Sequence, residues 1–106
     1  MNKLQVNVIG AGHWGPNVVG ALHGLANVEV RTVCDLNESA LKKIRQRFPT
    51  VETTTDTQET LADREAHAIC IATPVSSHFK LALAALANGK HVMVEKPLCT
   101  TSAECL

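Results

Sequence analysis

The chain has 106 residues, 45% of them hydrophobic, and its ten Lys and Arg balance ten Asp and Glu. One ordinary globular domain fits that length and composition, and two do not. Balanced charge argues against nucleic acid or an anionic membrane as the main partner. So does the shortage of aromatics, which are Trp14, Phe48 and Phe79 with no tyrosine.

No apolar run approaches the roughly 18 residues of a membrane span. The opening Met1-Asn2-Lys3-Leu4-Gln5 leads straight into a strand-like run, so no secretory leader is expected. The cysteines Cys34, Cys70, Cys99 and Cys105 show no C-x-x-C spacing, which disfavours zinc and a disulfide framework. Cys34 and Cys70 sit in apolar runs and read as reduced buried thiols. A cytoplasmic location follows from that reading.

Leu4 to Ile9 reads as a strand, and Gly10 to Gly15 is rich in glycine. Apolar residues at Trp14, Val18, Ala21, Leu22 and Leu25 then follow helical spacing, with Pro16 in the first turn. Val28 to Cys34 is a second strand. Asn37 is placed to cap a helix that turns Leu41, Ile44 and Phe48 inward and stops at Pro49. Its Lys42, Lys43, Arg45 and Arg47 read as a solvated face near the helix C-terminus, where the macrodipole favours cations. A short strand is expected within Thr50 to Thr54 and a brief helix over Thr57 to Ala62. Ala66 to Ala72 is an apolar strand. Ser76 to Asn88 reads as a helix with Phe79, Ala82, Leu83 and Leu86 on one face, closed by Gly89 in the left-handed conformation. His91 to Val94 is a last strand, and Thr100 to Leu106 resembles the start of another helix.

Strands alternating with helices predict an α/β fold with a parallel sheet built from crossover units. The expected architecture is a Rossmann-type doubly wound sheet of about five strands in the order 3-2-1-4-5. That is one strand short of the six-stranded dinucleotide fold.

Gly10-Ala11-Gly12-His13-Trp14-Gly15 matches G-x-G-x-x-G between a strand and a helix, the context in which that pattern is informative. Gly10 permits the tight turn, Gly12 lets the backbone approach a pyrophosphate, and Gly15 lets the helix pack close to the strand. His13 and Trp14 are expected over the pyrophosphate, with core packing as the alternative for Trp14. Asp35 ends the second strand, 20 residues after Gly15. A carboxylate there accepts hydrogen bonds from an adenosine ribose and repels a 2′-phosphate, which favours NAD over NADP. The plainer reading of Asp35 is a turn residue before Asn37. FAD and S-adenosylmethionine use similar loops and stay open at this point.

Three further features fall at the C-terminal ends of the later strands, where open parallel sheets bind ligands. These are Ala72-Thr73-Pro74, then His78 in the following helix, then Glu95-Lys96-Pro97. With the glycine loop, Cys34-Asp35 and Gly89-Lys90-His91-Val92, they make the chain resemble the N-terminal domain of the Gfo/Idh/MocA oxidoreductases. That family includes glucose–fructose oxidoreductase and inositol dehydrogenase. The Trp14-Gly15-Pro16-Asn17 variant is similar to members acting on nucleotide-linked or amino sugars.

The resemblance implies hydride transfer between a nicotinamide and a sugar- or polyol-type secondary alcohol. It implies that Lys96 reaches the reacting carbon and serves proton transfer. A desolvated ammonium beside a cationic nicotinamide loses proton affinity, which suits that role. It implies that Glu95 and Pro97 shape the cofactor pocket, that Ala72, Thr73 and Pro74 line its nicotinamide half, and that His78 lies near the cofactor. His78 as a packing or capping residue, and Lys96 as a surface lysine, are the plainer alternatives. His23, His67 and His91 read as structural or surface residues.

Family members are roughly three times as long and carry a second domain that forms the substrate pocket. This sequence shows no such domain, so turnover by these residues alone is not expected. The competing readings are a piece of a longer product, a short form that binds nucleotide without catalysis, and an assembly domain. The uncovered edge of the last strand predicts a homo-oligomer.

Overall fold

A computed structural model of the chain describes residues 3–12, 15–72 and 75–94. In chain order the elements are β1 (Leu4–Ile9), α1 (Gly15–His23), β2 (Val28–Cys34), α2 (Glu38–Arg47) and β3 (Glu52–Thr54). They continue with α3 (Thr57–Ala62), β4 (Ala68–Ile71), α4 (Val75–Ala87) and β5 (His91–Val94). The strands form one parallel sheet in the order β3-β2-β1-β4-β5, as the alternation of elements predicts.

Side chains alternate across the strands and build two apolar layers. On one face Val6, Val8, Val30 and Val33 of the sheet meet Val18 and Val19 of α1 and Leu41 and Ile44 of α2. Phe48, at the end of α2, joins the same layer. On the other face Ile9, Cys34, Ile69 and Ile71 meet Leu61 of α3 and Ala85 of α4. Both faces of the central strands are covered, which explains their nearly unbroken apolar runs.

Local chemistry sets the helix ends. Asn37 caps α2, its Oδ1 accepting the N–H groups of Ser39 (2.9 Å) and Ala40 (3.4 Å). Gly89, at φ 74°, ends the turn after α4, where its N–H reaches the Leu86 carbonyl and that of Lys90 reaches Ala85. The basic face of α2 is exposed, and Arg45 bonds Glu38 at 2.7 Å and Thr53 at 2.8 Å. His67 is structural: its Nδ1 accepts the backbone N–H of Gln5 at 2.9 Å.

Two helices present different faces from those the spacing predicts. In α1 the inward residues are Val18, Val19 and Leu22, whereas Ala21 is exposed. Leu25 lies beyond the helix end and is 50% exposed, because α1 stops at His23. In α4 the sheet takes Ala85 with Leu81, Ala82 and Ala84, and Leu83 and Leu86 point outward at 52% and 59% exposure. Small alanines allow α4 to sit close to the sheet, so burial follows fit as well as hydrophobicity.

One irregularity separates β2 from an ideal strand. Val6 pairs with Val30, but Asn7 pairs with Thr32, so Arg31 is an extra residue in β2. This bulge lets Val28, Val30 and Val33 share one face although regular alternation forbids it. It also turns the Arg31 guanidinium onto Asp63, with Nε to Oδ2 at 2.9 Å.

Candidate functional site

The C-terminal ends of β1, β2, β3 and β4 form one rim. Gly10 N–H donates to the Cys34 carbonyl at 2.7 Å and Asp35 N–H to the Thr54 carbonyl at 3.1 Å. Ala72 N–H donates to the Ile9 carbonyl at 2.8 Å. The first-turn N–H groups of α1, which begins at Gly15, have no partner within the helix. Such a terminus favours an anion.

Gly10 has φ 112°, a conformation in which a side chain is strained. Gly12 is exposed, and a Cβ added there would meet no atom within 4 Å. No contact among the described residues therefore requires glycine at position 12. The open space over its backbone is where a diphosphate would fit and where a Cβ would intrude.

Asp35 joins this loop to the next element. Its Oδ2 accepts the N–H of Ala11, and its Oδ1 accepts the N–H of Asn37, both at 2.7 Å. The second bond is the local turn that the plainer reading of Asp35 anticipates. A carboxylate accepts about four hydrogen bonds. Two protein donors thus leave capacity for a vicinal diol.

Gly10, Gly12, Gly15, Asp35 and Ala72 are therefore gathered at one rim by the fold. His78 belongs to α4. His13, Trp14, Thr73, Pro74, Glu95, Lys96 and Pro97 lie outside the described residues. The sequence reading passes over Ala11, whose contribution is a backbone N–H that no motif letter records. It also passes over Leu36, which stands 83% exposed directly after Asp35.

Gathered glycines, a helix N-terminus and a strand-end carboxylate define a dinucleotide-binding α/β domain. The family model of the Gfo/Idh/MocA oxidoreductases, described as an oxidoreductase family with an NAD-binding Rossmann fold, matches residues 4–106, and the chain belongs to that family. The inositol 2-dehydrogenase of Mycolicibacterium smegmatis is 37% identical over 101 residues, covering 94% of this chain and 29% of that enzyme. The myo-inositol dehydrogenase of Lactobacillus casei, solved with NAD(H) and myo-inositol, superposes with TM-score 0.83 at 29% identity. That match covers 93% of this chain and 30% of the other. The WlbA dehydrogenase of Bordetella pertussis, solved with NADH and UDP-GlcNAcA, gives TM-score 0.82 at 28% identity. It covers 97% of this chain and 31% of the other. The chain thus spans about 30% of the length of these relatives.

Proposed function

We propose that this chain binds NAD at the β1–β2–β4 rim and forms the nicotinamide half of a dehydrogenase for a sugar- or polyol-type secondary alcohol. The observation that carries the proposal is the bond between Ala11 and Asp35, which unites the phosphate loop and the ribose carboxylate in one site. The loop N–H groups and the α1 terminus hold the diphosphate. Asp35 accepts from the ribose hydroxyls and disfavours a 2′-phosphate. Leu36 offers an apolar wall beside them. Bound NAD supplies the hydride acceptor. Lys96 holds the substrate hydroxyl and exchanges its proton, Glu95 and Pro97 shape the pocket, and Thr73, Pro74 and His78 face the nicotinamide half. His13 and Trp14 lie over the diphosphate.

The relatives are about three times as long, and a second domain or partner is proposed to supply the substrate wall. Relatives acting on inositol support a polyol substrate, and one solved with a nucleotide-linked sugar supports the alternative. The outer edge of β5, at the end of the sheet, favours a homo-oligomer. The buried free thiol of Cys34 suits a cytoplasmic location.

Titrating Trp14 fluorescence with NAD⁺ and NADP⁺, backed by calorimetry, tests the site. Saturable binding that prefers NAD⁺ is expected. Absence of binding by both methods overturns the cofactor reading and leaves assembly as the role.

A further inference from the structure

β5 lies at the edge of the sheet and pairs with β4. Register in a sheet is normally fixed by the burial of one face. In β5, however, His91 and Met93 are exposed and Val92 is half-buried. Drawing the strand back by two residues would put Met93 in the place of His91 and Val94 in the place of Val92. Each side chain would keep its face, so the apolar pattern does not forbid that slip. Val94 pairs with Ile71. The slip would bring Lys96 opposite Ile71 instead, a displacement of about 6.6 Å along the strand.

Lys90, directly before β5, opposes that movement. It is half-buried, and its Nζ donates to the Ala66 carbonyl at 2.8 Å and to the Asp63 carbonyl. Asp63 is the C-cap of α3, a position where the helix dipole favours a cation. The turn that Lys90 grips is itself fixed to the middle of the sheet. The Asp63 carboxylate accepts from Asn7 of β1 at 3.1 Å and from Arg31 of β2 at 2.9 Å. The backbone N–H of Lys90 reaches the Ala85 carbonyl at 3.1 Å, which ties the strand to α4. The ammonium joins it, through the 63–66 turn, to β1 and β2. Bonds of this kind, from a charged donor, are stronger than neutral ones.

We propose that Lys90 is a positioning residue for Lys96: its ammonium grips the 63–66 turn, fixes the register of β5 and so sets where Lys96 leaves the sheet. The inference rests on the role given to Lys96 in the proposed function. Reacting groups must be held within about 0.5 Å of their working geometry, and a two-residue slip far exceeds that. The Gly89-Lys90-His91-Val92 stretch thereby acquires a task in support of Glu95-Lys96-Pro97. No covalent step is involved.

The test uses the full chain and reads Lys96 directly. Reductive methylation with formaldehyde and cyanoborohydride, followed by mass spectrometry, gives the labelling rate of each lysine. In the parent, NAD⁺ at about ten times its Kd should slow labelling of Lys96 about tenfold. ADP-ribose, which lacks the nicotinamide, should not. Lys90→Met should keep ADP-ribose affinity within about twofold of the parent, because the rim is remote from the 63–66 turn, and should lose most of the NAD⁺ protection of Lys96. Without nucleotide, its Val92 and Val94 amides should exchange faster, and Lys90→Arg should restore both readings. If Lys90→Met fails to bind ADP-ribose, Lys90→Gln, neutral but still a donor, carries the comparison. Unchanged NAD⁺ protection of Lys96 in the neutral variant would overturn the proposal. NAD⁺ that binds the parent and leaves Lys96 unprotected would overturn the role given to Lys96, and this inference with it.

Discussion

Asp35 Oδ2 accepts the backbone N–H of Ala11 at 2.7 Å, so the carboxylate at the end of β2 holds the loop that follows β1. On the proposed function, ribose recognition and loop geometry depend on one side chain. Asp35→Ala should weaken NAD⁺ binding more than tenfold, at about 1.4 kcal/mol per tenfold, because it removes both protein bonds and the ribose acceptor. It should also speed hydrogen exchange at the Ala11 amide in the nucleotide-free protein. Unchanged exchange at Ala11 would show that the contact does not order the loop.

Gly10 and Gly12 should separate stability from binding. Gly10→Ala places a side chain at φ 112° and should cost about 1–3 kcal/mol. Gly12→Ala meets open space and should leave the unfolding midpoint nearly unchanged while weakening NAD⁺ binding. Chemical unfolding and calorimetry of both variants provide the comparison. Equal loss of stability in the two would contradict the distinction.

Gly20 lies within α1, where glycine costs about 1 kcal/mol relative to alanine. A Cβ there would come no closer than 3.7 Å to Phe48, an ordinary contact. Gly20→Ala should therefore stabilise the fold by about 0.5–1 kcal/mol and raise Tm by several degrees. A lower Tm would mean that the α1–Phe48 packing has less room than these distances indicate.

Asp63 makes part of the stability depend on acid. Burial pushes its pKa up, but hydrogen bonds from Arg31, Asn7 and Glu65 and the Arg31 charge outweigh burial, and the result lies below the ordinary 3.8. The folded chain thus binds this proton less tightly than the unfolded chain. Its contribution is complete above the unfolded value and is lost as pH falls through the folded one. As pH falls from neutral through 3.8 and below, Asp63→Asn should lose less stability than the parent. Identical losses in urea unfolding across that interval would refute the assignment.

Much of this architecture is legible in the residues. The strand–helix alternation, the Asn37 cap and the left-handed Gly89 rest on local chemistry that a sequence displays directly, and the sheet order follows from the crossover rules that such an alternation obeys. The outward turn of Leu83 and Leu86 is not legible, because helical spacing ranks residues by hydrophobicity while the sheet selects small Ala85 for close approach. The contact between Ala11 and Asp35 escapes because a backbone donor has no letter of its own. The side-chain cluster on Asp63 escapes for another reason: Asn7, Arg31 and Asp63 are far apart in sequence and meet only after a bulge has rotated one of them.

That bulge also affects how motifs are counted. Asp35 is the twentieth residue after Gly15, but one of the residues on the way, Arg31, does not advance the pairing of β2 with β1. The spacing that marks a ribose carboxylate is therefore a distance along the chain, and the protein achieves the corresponding distance in space with one residue fewer of ladder. A relative whose second strand is regular would bring its carboxylate to the same place with a shorter interval. Searches that demand one fixed interval would pass over it, whereas alignment on the paired residues, Val6 with Val30 and Val8 with Val33, would find it.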